Sequence, residues 1–473
     1  MSESIDRRDT ATKDAIDGLI TGQMSRQEFV KRATFLGLSA GAIGSILAAA
    51  GKASAAEVRA FAGTTVNILI AAEGDDKGVH DKIGEIKSRF GIDLKYTALP
   101  VAGLIPKANQ NLAAPTSSFD AIMVLGFTVT QMVGGGFFTP LNSYLSKAPA
   151  GFDFPQDFPA GELEYVGYFD VKKQTFGGKT LYLIPGLHGG SVVLFYRKDL
   201  FKAAGLKPPT TWAQYLAAAK KLNTGGVAGN SLIAKSGDVS MFLCDWFTRF
   251  ANQPGAKLMS GSPQAKNYTP RLTSPQAVAA LQHMVDCMKS ASSGALSYDF
   301  TVSTNAFSAG KTAMMMIWST IAGPVYNPAT SKVANKVSVA VPPGGGKAVR
   351  GGWGMGIPKN AKNKDAAWTL ITYLCSAEWG KFEVAAHQTD PARNSVFNDP
   401  GLNKKFPYLG VAGQANQRAR ILEIANIPET FQLITIAAQQ FSAALSGSSS
   451  AKDACKKAND EWIKVLKSGG HLK

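Results

Sequence analysis

The most constraining feature of this sequence is an alternation of short apolar runs with amphipathic stretches that follows the N-terminal segment. Two apolar runs, at 66–71 and 121–125, predict buried strands, and an alternating run at 92–96 predicts a strand between them. The stretches 76–90 and 104–114 repeat apolar residues at helical spacing. Because these elements follow one another with short connections, the pattern predicts a parallel sheet with right-handed crossovers.

A second α/β series follows in the middle of the chain. Apolar runs at 192–196, 313–317 and 337–341 predict strands, and a T-x-x-Q capping box at 211–214 predicts the start of a helix, as does Asn363 later in the chain. The chain has 473 residues, which exceeds what one hydrophobic core usually serves. We therefore predict an α/β protein with two globular units.

The carboxyl ends of the first predicted strands indicate a ligand site. In open α/β sheets, ligands bind in the crevice beyond these ends. Glu73 follows the first predicted strand, and Phe127 and Thr128 follow the third. We therefore expect these three residues near a ligand.

The N-terminal segment has the features of an export signal. Basic residues precede an apolar, small-residue stretch at 33–50, and Ala-Ser-Ala at 53–55 matches a cleavage site. We therefore predict that residues 1–55 are a signal peptide and that the mature protein is exported. The stretch SRQEFVK at 25–31 resembles the twin-arginine motif, with Gln27 in place of the second arginine. The sequence leaves open whether export follows the twin-arginine (Tat) or the general secretory (Sec) route.

Composition and charge argue against several classes of protein. The net charge is +16, but the basic residues are spread along the chain and do not interleave with aromatic stripes, so we expect no nucleic-acid partner. Because no Cys/His cluster has metal-ligand spacing and no cofactor motif is present, we expect neither a metal nor a cofactor. The sequence leaves open whether the cysteines pair as disulfides or remain buried thiols. They are Cys244, Cys287, Cys375 and Cys455.

Several segments match family patterns when they are taken in order. The most recognisable is FYRKDLFKAAGLKPPTTW at 195–212, in which Arg197 stands where the pattern usually has asparagine. The others are FDAIMV at 119–124, GFFTPL at 136–141, FSAGKTAMM at 307–315, GGWGMGI at 351–357 and DPARNSV at 390–396. Together they resemble the extracellular solute-binding protein family 1, the sugar- and maltodextrin-binding receptors of ABC importers.

The resemblance implies a two-lobed periplasmic-binding-protein fold of type II, in which each lobe is a Rossmann-like sheet flanked by helices and a hinge joins the lobes. We expect lobe 1 to comprise 57–184 and 343–398, and lobe 2 to comprise 185–342 and 399–473. The implied function is the substrate-binding component of an ABC importer. It captures a sugar, oligosaccharide or sugar alcohol in the interlobe cleft and delivers it to a permease with its ATPase. We expect a monomer in the periplasm without enzymatic activity.

Binding a sugar requires flat apolar faces and a few hydrogen-bonding groups. Trp318 falls where the family often places a stacking aromatic ring, and His188 lies in a loop with which family members line the pocket. Gly352 and Trp353 lie on the return to lobe 1. The complete set of residues expected at the ligand is Glu73, Phe127, Thr128, His188, Gly190, Asp238, Trp246, Trp318, Gly352, Trp353 and Arg393.

Two alternative functions remain open from the sequence. The same fold can bind a non-neutral ligand such as a uronate, which Arg393, His188 and the basic net charge favour. A secreted carbohydrate-active enzyme is less favoured, because it requires paired carboxylates or a Ser/His/Asp set. Acidic residues are sparse beside the predicted strand ends, and the five histidines form no motif.

Overall fold

A computed structural model describes much of the chain. The described residues are 12–16, 18–19, 24, 26–36, 38, 42–43, 45, 61–72, 75–187 and 189–473. Glu73, His188 and the predicted cleavage site at 53–55 lie outside them. Within the described ranges, no helix combines the length and the apolar character that a membrane crossing requires. The chain divides into two compact units, 1–67 with 79–96 and 68–78 with 97–473.

Helices and strands alternate through most of the described chain. The strands are β1 Thr65–Ala71, β2 Asp93–Leu99, β3 Ala121–Leu125, β4 Tyr168–Asp170, β5 Thr175–Leu181, β6 Leu183–Pro185, β7 Val192–Arg197, β8 Met259–Ser260, β9 Thr269–Pro270, β10 Met314–Trp318, β11 Val337–Ala340 and β12 Trp353–Gly356. The helices up to β10 are α1 Arg26–Phe35, α2 Asp75–Phe90, α3 Val101–Ala113, α4 Val129–Met132, α5 Ala160–Glu162, α6 Lys198–Ala203, α7 Trp212–Leu222, α8 Phe247–Ala251, α9 Pro275–Met288 and α10 Phe300–Ser308. The later helices are α11 Ala322–Tyr326, α12 Lys364–Leu374, α13 Ala377–His387, α14 Asn394–Phe397, α15 Pro400–Lys405, α16 Tyr408–Arg418, α17 Thr430–Leu445 and α18 Ala451–Ser468. Turns of π-helix span Leu163–Gly167 and Met241–Trp246.

The first unit contains an N-terminal helical cluster. Phe29 and Ala33 lie four residues apart on α1 and therefore share one face of the helix. That face packs in a buried cluster with Ala15, Leu19 and Ile43. Residues 33 and 43, which belong to the apolar stretch 33–50 of the predicted export signal, therefore lie in a small helical cluster.

A five-stranded sheet, here called the first sheet, has the order β2-β1-β3-β12-β6. β1 pairs parallel with β3, with Ile68 opposite Ala121, as the sequence predicts. β3 is buried along its whole length, which explains its uninterrupted apolar sequence. β12 arrives from much later in the chain and lies antiparallel between β3 and β6.

A three-stranded sheet, here called the second sheet, has the order β10-β7-β11 and is antiparallel. Helices α7 and α9 cover it, and Tyr215, Leu222 and Cys287 pack on Leu194 and Met314 in one core cluster. α16 packs against β7 and β11, so the chain after β12 returns to the second sheet.

The local helix-start predictions have different outcomes. Thr211 Oγ1 accepts a hydrogen bond from the backbone N–H of Gln214, and Gln214 Oε1 accepts one from the backbone N–H of Thr211, so the predicted capping box is confirmed. Asn363 occupies the N-cap position of α12, but its side chain makes no capping bond. Its backbone N–H instead donates to the carboxylate of Asp120 at 2.9 Å, so tertiary contacts replace the predicted local cap.

Candidate functional site

Two of the segments in which the chain passes between the two sheets pack backbone against backbone. These crossing segments are 189–191, between β6 and β7, and 349–352, between β11 and β12. Ser191 and Arg350 form an isolated antiparallel bridge, and Gly351 N–H donates to Gly190 carbonyl at 3.3 Å. A Cβ at residue 190 would lie 3.2 Å from Gly351 Cα. Glycine permits this approach because a side chain would separate the segments.

Trp318 lies directly against the crossing segments. It is the last residue of β10 and remains partly exposed, whereas the other residues of this strand are buried. A Cβ at residue 351 would lie 2.8 Å from the Cζ3 atom of the Trp318 ring. The indole therefore packs on bare backbone and keeps part of its surface accessible, which is the arrangement that stacking on a ligand requires.

Polar groups surround the same crossing. The Ser319 hydroxyl contacts the carboxylate of Asp390, and Ser191 carbonyl lies 2.8 Å from the same hydroxyl oxygen. Asp390 is fully buried. The Ser191 hydroxyl is also buried and has no hydrogen-bond partner within the described part of the chain. None of these three residues is among those that the sequence predicts at a ligand. The DPARNSV segment contains Asp390 and was the only sequence signal for it.

A second polar cluster joins the crossing to both sheets. Arg350 Nη1 lies 3.5 Å from Glu162 Oε1 and donates to Asn416 Oδ1 at 2.8 Å. The Tyr165 ring packs on Gly126 at the end of β3, and its buried hydroxyl has no partner in the residues that the structure describes. Burial raises the pKa of Tyr165, and the nearby Glu162 carboxylate raises it further. Tyr165 therefore stays a neutral donor.

Phe127 and Thr128 lie in the turn that follows β3, as predicted, but their side chains contact protein groups. The Phe127 ring lies edge-on to Tyr165 and Phe431, with ring centroids 6.1 and 6.4 Å apart. Thr128 Oγ1 donates to Leu125 carbonyl at 2.8 Å. Both side chains are buried. They shape the end of the first sheet, and their contact with a ligand stays a prediction.

Three of the expected residues belong to the crossing segments or border them. Gly190 and Gly352 lie in the crossing segments, and Trp353 begins β12 beside Leu125. Gly352 has a φ of +123°, which only glycine adopts readily. A Cβ at this residue would overlap a carboxylate oxygen of Glu162. The structure therefore places Gly190, Gly352 and Trp353 in or beside the crossing segments, in which Gly351 meets the Trp318 ring, while Glu73 and His188 fall outside the described residues.

Asp238 occupies a turn ahead of the π-helical turn in the second half of the chain. Its Oδ1 accepts a hydrogen bond from Ser240 N–H at 2.8 Å. Burial raises the pKa of Asp238, and the charge of Asp299 adds to this effect. The structure gives no contact between Asp238 and Trp318, so its role at a ligand stays a prediction.

Two expected residues lie in the interior, where their side chains pack against protein groups. Trp246 is fully buried behind the second sheet, and its indole N–H donates to Ala277 carbonyl at 3.2 Å. The Arg393 guanidinium stacks 3.8 Å from the Phe158 ring centroid and donates to Phe152 and Cys375 carbonyls. Trp246 and Arg393 are therefore not part of the candidate site, because their side chains are enclosed by protein.

A cavity of about 910 Å³ opens beside the second crossing segment. Its lining includes Lys347 and Arg420 and does not include Trp318. The wall is cationic, and its one carboxylate, Glu423, already accepts hydrogen bonds from Arg420 and from the backbone of Met259, both at 3.0 Å. The cavity is thus distinct from the Trp318 surface.

The described residues offer little for metal or thiol chemistry. No group of three or more His, Cys, Asp or Glu side chains in these ranges is placed to hold a metal ion. All four cysteines are free and buried. Burial raises the pKa of Cys287 to about 11 and that of Cys375 and Cys455 to about 12, so these thiols remain protonated at neutral pH.

Relatives with this fold are solute-binding proteins. The chain is 27% identical over 322 residues to a probable amino-acid ABC transporter periplasmic-binding protein of Sinorhizobium fredii, covering 67% of this chain and 70% of the relative. It is 25% identical over 413 residues to a mannitol-binding protein of Pseudomonas aeruginosa, covering 82% and 89% of the two chains.

Solved structures of solute-binding proteins resemble the fold of this chain. An ABC transporter solute-binding protein from Agrobacterium radiobacter in complex with ribitol matches with a TM-score of 0.74 and 26% identity, covering 86% of this chain and 99% of that chain. A solute-binding protein from Agrobacterium vitis with bound D-mannitol matches with a TM-score of 0.71 and the same identity and coverage. The predicted fold, a two-lobed α/β periplasmic binding protein, is confirmed by these neighbours.

A family model matches more than half of the chain. The model of bacterial extracellular solute-binding proteins matches residues 76–381. This range includes the strands of the second sheet, the crossing segments and Trp318. The chain therefore belongs to the bacterial extracellular solute-binding protein family, as the resemblance of its motifs indicated.

Proposed function

We propose that this protein is the substrate-binding component of an ABC importer and that it captures a sugar, oligosaccharide or sugar alcohol between its two sheets. The observation that supports this most directly is the position of Trp318. Its partly exposed ring lies on the glycine backbone at which the chain passes between the sheets. An indole face packs against the C–H side of a polyol or sugar, while neighbouring polar groups bind its hydroxyls.

The proposed lobes follow the two sheets. Lobe 1 comprises 57–184 and 343–398, and lobe 2 comprises 185–342 and 399–473. The pairing of β12 with β3 supports the return to lobe 1, and the packing of α16 on β7 supports the return to lobe 2. Ligand binding favours the arrangement of the lobes that surrounds the ligand, because binding shifts a conformational equilibrium toward the state with the higher affinity.

The proposed site keeps most of the predicted residues and gains Ser191. Trp318 provides the stacking face, and the Ser191 hydroxyl, which has no partner among the described residues, provides a hydrogen-bonding group beside it. Ser319 and Asp390 contact each other and hold the backbone of Ser191 in place. Further proposed contacts are Glu73, Phe127, Thr128, His188, Gly190, Asp238, Gly352 and Trp353.

In the proposed role, the protein works outside the inner membrane and makes or breaks no covalent bond. Periplasmic location is supported by the names of its relatives and by the export features of 1–55. It acts as a monomer that docks on a permease with its ATPase.

The mannitol-binding relative and the ribitol complex support a neutral polyol as the ligand. A uronate is supported less, because Arg393 is buried and lies 3.7 Å from Asp157.

Thermal unfolding in the presence of candidate ligands tests this proposal. We expect ribitol, D-mannitol or a related sugar to raise the free energy of unfolding by about 2.7 kcal/mol at a hundredfold excess over its Kd. Amino acids, glucuronate and glycerol 3-phosphate form the other arms of the screen. Stabilisation by one of these alone, or turnover of an oligosaccharide, would contradict the proposed ligand class.

A matched pair of variants then tests the proposed site. Trp318→Ala should remove the ligand-induced stabilisation, because the stacking face is lost. Trp212→Ala removes another partly exposed tryptophan, on α7, and should preserve the stabilisation. Circular dichroism checks that both variants are folded. Equal ligand responses in the two variants would exclude Trp318 from the site.

A further inference from the structure

Arg350 lies between the two sheets, at a point where its side chain can contact residues associated with each of them. It belongs to the second crossing segment, between β11 of the second sheet and β12 of the first. Its residue surface is only 7% exposed. A buried guanidinium needs partners for its charge and its donors, because an uncompensated buried charge is strongly destabilising.

The partners of this guanidinium come from both sides of the crossing. Glu162 ends α5 and leads into the π-helical turn Leu163–Gly167, which packs on β6 and β12 of the first sheet. Its carboxylate lies 3.5 Å from Arg350 Nη1. Asn416 lies on α16, which packs on the second sheet, and its Oδ1 accepts from Nη1 at 2.8 Å. Nη2 donates to the carbonyls of Asn416 and Ala419 at 3.1 and 3.2 Å. One side chain thus links the two sheets and the segment between them.

Two glycines provide the space for this cluster. A Cβ at residue 161 would lie 2.5 Å from the Arg350 guanidinium carbon, and a Cβ at residue 352 would overlap a Glu162 carboxylate oxygen. Side chains at these residues would therefore displace the ion pair. The cluster is fixed by local backbone as well as by its own hydrogen bonds.

Any rotation of one sheet against the other changes these contacts. The Glu162 contact moves with the first sheet, whereas the Asn416 and Ala419 contacts move with the second. The contacts therefore stabilise the arrangement in which all of them are made. Gly351, the next residue, supports the Trp318 ring, so a displacement of Arg350 also displaces the floor of the proposed ligand site.

We infer that Arg350, with Glu162 and Asn416, is a positioning residue that holds the two sheets and the Trp318 surface in the geometry that binds ligand. This inference rests on the proposed function of Trp318. Arg350 acts through the backbone of the crossing and does not itself contact the ligand. Its loss should weaken the binding of every ligand by a similar factor and leave the order of preference unchanged.

Distance measurements between spin labels on the two lobes test the inference without any ligand. Lys107 on α3 and Lys202 on α6 are exposed, so Lys107→Cys and Lys202→Cys provide labelling sites. The native thiols are buried, which restricts labelling to the introduced cysteines. We expect Arg350→Met and Glu162→Gln to broaden or shift the distance distribution of the full-length protein.

Matched variants separate this role from a general loss of stability. Arg197 pairs with Asp199 within the second-sheet region, with 2.6 Å between Nη2 and Oδ2. Arg197→Met therefore removes the ion pair of a buried arginine that lies outside the crossing segments. The distribution of distances between the spin labels in this variant should equal that of the parent. Arg350→Lys keeps the charge but lacks the planar fork, and it should restore the parent distribution in part.

Binding of D-mannitol and ribitol to the same variants provides the second readout. We expect Arg350→Met to weaken both at least about tenfold, with their order unchanged. Distance distributions identical to the parent in both Arg350→Met and Glu162→Gln would overturn the inference, as would an equal change in Arg197→Met. A changed order of ligand preference would also overturn it, because Arg350 would then contact the ligand. If the parent binds no polyol, the proposed function fails, and the label distances alone decide the role of Arg350.

Discussion

The interior behind the second sheet and the crossing segments bring chain segments together by opposite means. In the interior, Trp246 stacks on Phe242 and Phe250, with ring centroids 4.8 and 4.9 Å apart. At the crossing, Gly190 and Gly351 place backbone against backbone. The interior is therefore sensitive to lost atoms, because a cavity remains, whereas the crossing is sensitive to added atoms. Mutations in the two regions should accordingly affect stability and binding in different proportions.

The largest expected effect is the difference in stability and binding between variants of the two tryptophans, one in each region. Trp246→Ala should lower the free energy of unfolding by about 3–5 kcal/mol, because a fully buried indole is removed from a packed core. Trp318→Ala should lower it much less, since its ring is partly exposed, while it removes polyol binding. Urea unfolding and calorimetric titration measure the two quantities. A folded Trp246→Ala protein that had lost binding, with Trp318→Ala still binding, would reverse the comparison.

A pH-dependent effect of up to about 3 kcal/mol should come from the same interior. Burial lowers the pKa of His283 from 6.5 to about 4, and the charge of Arg249 contributes. Arg249 Nε donates to His283 Nδ1 at 3.0 Å, so the ring is held neutral. Between these pKa values the unfolded chain binds a proton that the folded chain does not. Stability should therefore fall as the pH falls from 6.5 towards 4.

The His283→Gln variant isolates this contribution. Burial raises the pKa of Asp245, which opposes the histidine effect in the parent over part of the same range. The difference between parent and variant cancels that opposing effect. Urea midpoints at pH 7 and pH 4.5 should show a smaller acid loss for the variant than for the parent. Equal losses would mean that the pKa of His283 is the same in the folded and the unfolded protein.

An added methyl group at the crossing should have an intermediate effect. Gly352→Ala should lower the free energy of unfolding by at least about 2 kcal/mol, because it strains a positive φ and overlaps the Glu162 carboxylate. Gly447 also has a positive φ, +79°, but its Cβ would have no neighbour within 4 Å. Gly447→Ala therefore serves as the control for backbone strain alone. Equal losses in the two variants would show that the crossing tolerates added atoms.

Sequence rules predicted the elements of both regions well where the rule is local. The uninterrupted apolar run of β3 and the capping box of α7 depend on neighbours in sequence, and both are found as predicted. Which tryptophan faces the crossing depends on the tertiary packing of distant segments. Trp246 and Trp318 both end or follow apolar runs in the sequence. The neighbouring residues in sequence do not indicate that Trp246 stacks on Phe242 whereas Trp318 packs on Gly351.

The site residues that the sequence missed have the same explanation. Asp390 meets Ser319 from 71 positions away, and Arg350 meets Glu162 from 188 positions away. No spacing rule relates residues so far apart, because the return of β12 to the first sheet creates these contacts. Arg393 was expected at the ligand since its segment resembles the family. Its side chain instead lies over the ring of Phe158, which only the folded structure reveals.

The smallest expected effect tests the local rule itself, away from the crossing. Thr211→Ala removes the hydroxyl that accepts from Gln214 N–H at the start of α7, and it should lower the free energy of unfolding by about 1 kcal/mol. Thr211→Ser keeps the hydroxyl and should leave stability nearly unchanged. Because α7 packs on the second sheet and not on the crossing, polyol affinity should be the same in both variants. A loss of affinity in Thr211→Ala, measured by calorimetric titration, would mean that the interior and the crossing are coupled and cannot be treated as separate regions.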